Sequence, residues 1–190
     1  QMTNKVTFIT NIVFMILNNA SFIIQWLILF SLKEEIGGYT IKEVILLWGI
    51  AASVFGIAHI LFNKAFELSD LIINGKLDTF LVQPQNVFLS VITSDTSISA
   101  IGDLIYGYIC LFLYGITIKN FILFTIFTIT GGIILAAFVS IIGSISFWIV
   151  KGDILVDTLN NMMVSFATYP GTIFKNTIRI ILYTVIPVGI

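Results

Sequence analysis

"NFILFTIFTITGGIILAAFVSIIGSISFWIV", residues 120 to 150, contains no Asp, Glu, Lys, Arg or His. A helix crosses a hydrocarbon core of ~30 Å in about 20 residues, and this run exceeds that length. Residues 6 to 32 make a second such run, and 44 to 63 carries only His59 as an ionisable group. The whole chain follows suit: of 190 residues, 58% are hydrophobic and 10% charged, with a mean hydropathy of +1.07. This composition is that of an integral membrane protein. The runs are too long for barrel strands and lack sustained period-2 alternation, so the fold class is all-α.

Working outward gives six apolar spans, at about 7–32, 44–62, 97–118, 121–150, 154–169 and 180–190. The chain begins at Gln1 and ends within an apolar run at Ile190, so the expectation is a bundle truncated at both ends, with the sixth span cut short. No internal repeat or low-complexity linker divides the chain, and residues 1–190 are read as a single transmembrane domain. The first apolar run is of full span length without a small-residue cleavage pattern after it, which does not suit a removable leader. Charge counting leaves orientation open. With the N-terminus inside, four Lys fall in inner loops, and Lys33, Lys42, Lys119, Lys175 and Arg179 in outer ones.

Nine basic and ten acidic residues are scattered singly, so there is no basic patch to attract nucleic acid. The single Cys110 has no intrachain disulfide partner. One His and one Cys cannot build the usual zinc sites, and neither H-E-x-x-H, G-x-S-x-G nor a Walker A loop occurs. "NGKLDT" has a Gly-Lys pair but no upstream Gly and no preceding strand. The expectations are no metal, no cofactor and no ATP hydrolysis by this chain itself; it is not read as an enzyme.

Four features remain. Between the second and third spans, Asn63, Glu67, Asp70 and Asn74 are spaced to share one helical face, opposite Ala65, Phe66, Ile72 and Ile73. Gly75 is placed to end that helix in a left-handed cap, and Pro84 limits a second short element. Residues 63–90 thus read as an amphipathic surface segment, either a plain connector or a docking site for a soluble partner. In the fourth span Gly132, Ala136, Ser140 and Ser144 repeat every four residues, a small-residue ridge for close helix packing; the second span has a shorter version in Gly49 with Ser53 and Ala52 with Gly56. In the fifth span Asp157, Asn160, Asn161, Ser165 and Thr168 fall on one face, either a conduit lining or a solvated helix start. Asp103 carries the same ambiguity.

Two stretches carry a resemblance to a family. "LFNKAFELSDLIINGKLDTFLVQPQNVFL", residues 61–89, resembles the segment after span two in permease subunits of type-2 ABC exporters. There the pattern Ile-x-x-Gly-x-Leu-Asp-x-x-Leu-x-x-Pro recurs, met here by Ile72, Gly75, Leu77, Asp78, Leu81 and Pro84. "FATYPGTIFKNTIRIILYTVIPVGI", residues 166–190, is similar to the Tyr-Pro to Ile-Pro stretch between the last two spans of those permeases.

The resemblance implies a six-span, multi-pass subunit of the cell membrane. It would pair with a second permease subunit, like or unlike, and with cytosolic ABC ATP-binding subunits. Residues 63–90 would form the cytosolic coupling segment, with Gly75, Lys76, Leu77, Asp78 and Pro84 shaping it and Glu67 and Asp70 as charge contacts to the ATPase. The Tyr-Pro region would form short re-entrant helices outside, and the N-terminus would lie inside. Asp157, Asn160, Asn161 and Ser165 would then line half of a translocation path. Two rivals stand beside this reading: a membrane scaffold that docks some other partner through 63–90, and a membrane-embedded enzyme using Asp103 or Asp157. The second lacks a clustered acid, base and cation-binding set.

Overall fold

In lipid, a backbone must satisfy its own hydrogen bonds, and a single apolar segment can do so only as a helix. The computed structural model describes residues 5–149, 152–174 and 176–184. Among these the regular structure is helical, apart from one bridge between Ile36 and Tyr39. The helices run in order α1 (Lys5–Leu32), α2 (Ile41–Leu61), α3 (Asn63–Phe66), α4 (Leu68–Ile73), α5 (Asp78–Leu81), α6 (Val87–Ile92), α7 (Ala100–Tyr114), α8 (Ile118–Ser144), α9 (Gly152–Ala167) and α10 (Asn176–Thr184).

Among the described residues, three helices are long and apolar enough to cross a membrane: α1, α2, and α8 with its 3-10 extension to Phe147. The third and fifth expected spans are shorter than full crossing length. α7 has 15 residues and α9 has 16, or about 22 and 24 Å of helix. The third loses its start because residues 93–99 form a loop packed on the end of α2, where the Ser97 amide donates to the His59 carbonyl at 3.0 Å. The sixth expected span begins within α10; its part beyond Thr184 lies outside the described residues, as do Lys151 and Lys175.

α2 is the centre of the bundle. α7 runs antiparallel to it, and the two backbones nearly touch: a Cβ at Gly49 would lie 2.6 Å from the Cys110 Cβ, and one at Gly56 would lie 3.0 Å from the Ala100 carbonyl oxygen. A Cβ at Gly107 would collide with Ser53 and with the Gly49 carbonyl. On another side α8 runs parallel to α2, with Gly131 against Val54 and Gly132 against Ile57 and Ala58. Ala58, Leu135, Val139, Ile142, Val156 and Met163 close a core shared by α2, α8 and α9. α1 lies outside, stacking Phe22 on Trp48 and packing Trp26 against Val44 and Trp48.

Candidate coupling surface and transport path

The polar connector between α2 and α7 is built from four short helices. The single helix expected from Asn63 is broken at Glu67 into α3 and α4, which both pack on α6 and α8 but at different positions. Ala65 of α3 seats with Ile92 of α6 and Ala136 of α8, whereas Leu68 and Leu71 of α4 seat with Val91. The Ser69 hydroxyl meets that of Ser146 beyond α8 at 2.6 Å. The apolar side therefore differs from the expected one: Leu68, Ser69 and Leu71 are buried with Ala65, while Ile73 is exposed. Glu67, Asp70 and Asn74 face outward, and Asn63 is half-buried.

After Asn74 the chain turns through Gly75, whose φ of 67° is left-handed. A side chain there would pay for the Cβ against the following carbonyl, which glycine avoids. The turn sends the Leu77 amide back to the Leu71 carbonyl at 3.2 Å and seats Leu77 beside the Leu68, Leu71 and Val91 cluster. Asp78 opens α5 and is exposed, as are Lys76 and Pro84. Asn86 caps α6, its side-chain oxygen accepting from the Leu89 amide at 3.1 Å. Two ion pairs lie within the segment, Lys64 with Glu67 and Lys76 with Asp70 at 3.5 Å. Exposed pairs of this kind contribute at most about 1 kcal/mol, so a docking partner can exchange them.

The small-residue ridge of α8 is used within the chain. Gly132 meets α2, Ala136 meets α3, and Ser140 is buried with its hydroxyl on the Ala136 carbonyl at 2.7 Å. The half-buried Ser144 donates likewise to Ser140. On α9, by contrast, Asp157, Asn161 and Ser165 stand exposed along one face; Asn160 is half-buried with a side-chain oxygen that has no partner, and Thr168 is buried. In the half of the bundle remote from the connector, Leu47, Ala51 and Val54 of α2, Gly131 and Ile134 of α8, and Met163 of α9 line an apolar cavity of about 370 Å³.

At that same end the Tyr-Pro corner meets the α1–α2 turn. Thr172 donates to the Gly37 carbonyl at 2.6 Å, Tyr169 packs on Trp26 with ring centroids 5.6 Å apart, and Pro170 is buried. Gly37 and Gly38 both take positive φ to make the turn. Expected as short re-entrant helices, the region is a 3-10 turn at Gly171–Ile173 followed by α10.

Sequence reading missed a polar recess and left the surroundings of Asp103 open. A recess of about 450 Å³ opens beside the connector, lined by Thr7 and Asn11 of α1, Asn63 and Glu67, and residues 95–99. Beyond it Asp103 is buried, accepting from the Asn19 side-chain amide of α1. The spacing Thr7, Asn11, Asn19, on one ridge of α1, was the available signal; which helix faced that ridge was not. Among the described residues no group of His, Cys, Asp and Glu could hold a metal ion.

Apolar helices packed through small residues around α2, with a structured polar connector on one side, define a multi-pass helical membrane protein. A family model described as ABC-2 family transporter protein matches residues 15–190. The chain belongs to that family and is a membrane permease of an ABC transporter. No curated protein and no solved structure matches the chain.

Proposed function

We propose that this chain is one of two permease subunits of an exporter in the cell membrane, driven by ATP hydrolysed on a separate ABC ATP-binding subunit that docks on residues 63–90. The observation that carries the reading is the connector itself. It is a structured element, pinned to α8 by Ala65 against Ala136 and Leu68 against Gly143, that keeps Glu67, Asp70, Lys76, Asp78 and Pro84 exposed. A push on such an element reaches α8 through packed side chains, and packed helices answer by switching between discrete arrangements. The N-terminus lies on the ATPase side. The chain supplies no nucleotide chemistry of its own.

The second subunit is supported by α9. Its exposed Asp157, Asn161 and Ser165 would be costly against lipid, since polar and ionisable groups at membrane depth face a bundle interior or a wet cavity. A partner permease facing α9 would supply that interior, with the polar face lining the path between them. The test is the double substitution Gly75→Val with Asp78→Lys. It should lower co-purification of the ATPase or uncouple its ATP turnover from transport, while the permease keeps its size-exclusion profile. Wild-type levels of both would sink the coupling assignment.

A further inference from the structure

We propose that Asp103, held by Asn19, is a proton-binding carboxyl buried inside the bundle, reached by water from the polar recess beside the connector. In sequence Asp103 sits in the first turn of a helix, where a carboxylate is ordinarily solvated at the interface. In the structure that first turn is deep. Gly102 lies against the α1 backbone, where an added Cβ would be 2.6 Å from the Ile12 carbonyl oxygen and 2.8 Å from the Met15 Cβ. Asp103 itself pairs with Asn19, at the midpoint of the 28-residue α1.

The carboxyl is enclosed. It is 5% exposed, and its neighbour across α2 is Gly56, where an added Cβ would lie 3.3 Å from the Asp103 Cβ. Asn19 spends the same amide group on the Met15 carbonyl at 3.1 Å and on Asp103. No basic side chain among the described residues forms an ion pair with Asp103. A bare carboxylate in such surroundings is among the costliest groups a bundle can hold, and taking up a proton removes the charge.

The surrounding titratable groups leave the role to Asp103. α1 has only Lys5, at its exposed start, and α8 only Lys119, near its start. α2 has Lys42 and Glu43 at its far end, and His59 one turn beyond Gly56; the His59 ring stacks on Phe66 and bonds Asn63 at 3.0 Å. On α7 itself Tyr106 and Cys110 are buried.

The recess supplies the route. Its wall runs from Glu67, Asp95 and Asn63 inward to Ser97 and Ser99, with Lys64 bridging Glu67 and Asp95 at its edge. Ser99 precedes Asp103 by one helical turn, about 6 Å of rise. On α1, Thr7 and Asn11 of the recess continue through Met15 to Asn19 along one i+4 ridge. The polar lining of the recess thus stops one helical turn short of Asp103, at Ser99, with Met15 of α1 between Asn11 and Asn19, and the proposed route requires water to cross this last turn. The other side of Asp103 is closed by the Gly56, Gly107 and Ser53 contact of α2 with α7. In the step itself a hydrated proton binds a carboxylate oxygen and leaves by the same path.

The test uses the chain reconstituted in liposomes and N,N′-dicyclohexylcarbodiimide, an apolar reagent that adds to un-ionised carboxyls. The carboxyl oxygen bonds the reagent's central carbon, a nitrogen takes the proton, and the adduct is mapped by mass spectrometry. Expected are modification of Asp103 that declines as pH rises, its loss in Asp103→Asn, and reaction of Ser99→Cys with a hydrophilic maleimide that spares the buried Cys110. An unmodified Asp103 in folded protein, modification that is flat with pH, or an unreactive Ser99→Cys would each overturn the proposal. None of these readouts involves the ATPase, so their failure is separate from failure of the coupling assignment.

Discussion

α1 and α2 are nearly equally apolar and both long enough to span a membrane, yet only 6% of the most apolar stretch of α1 is buried within the chain, against 33% for α2. The difference lies in the middle of each helix. α2 carries Gly49, Ala52, Ser53 and Gly56, all buried, where α1 carries Val13, Phe14 and Leu17, all exposed. Lipid tails are as apolar as leucine, so hydropathy places a helix in the bilayer without saying what it touches. Close backbone approach, which small residues permit, selects the neighbour.

The largest effect is therefore expected at the α2–α7 contact. Gly107→Ala adds one methyl that collides with Ser53 and the Gly49 carbonyl, and backbone cannot yield as a flexible side chain does. Overpacking of this kind costs on the order of 3 kcal/mol, the upper end for added methylenes. Thermal unfolding in detergent should show a much lower midpoint, with loss of the monodisperse species. A wild-type midpoint would mean that α7 does not seat on α2 as described.

That contact also marks where sequence reading stops. The helical class, the long spans and the spacing of small residues in α2 and α8 were legible, because each is a local property of one helix. Gly75 was legible for the same reason, as a glycine at the end of a short amphipathic run. The meeting of Asn19 with Asp103, 84 positions apart, was not, and neither was the depth at which α7 begins. Periodicity tells which residues share a face, and only the packing tells what that face meets. The break at Glu67 was hidden likewise, since both halves have helical spacing and both pack on α6 and α8.

A smaller effect is expected at Gly75, which combines a demanding backbone with empty surroundings. Nothing lies within 4 Å of an added Cβ there, and the φ of 67° remains. Gly75→Ala should cost about 1 kcal/mol, the low end for a non-glycine residue held left-handed. Asparagine tolerates that region better, and Gly75→Asn should recover part of the loss. Comparing the two unfolding midpoints checks this. Equal losses for Ala and Asn would point to lost packing of Leu77 in place of backbone strain.

The smallest effect tests the outer helix. Phe14 is 65% exposed on α1, so Phe14→Leu exchanges one apolar group for another on a face that the chain leaves to lipid. Its unfolding midpoint should stay within the range of a neutral surface change, about 0.5 kcal/mol. The value of the experiment lies in its contrast with Gly107→Ala. A large loss at Phe14 would show that this face of α1 is covered by another protein chain, because lipid refills a small gap and a packed neighbour does not. The second permease subunit would then lie against α1, and the exposed polar face of α9 would need a different explanation from the one proposed above.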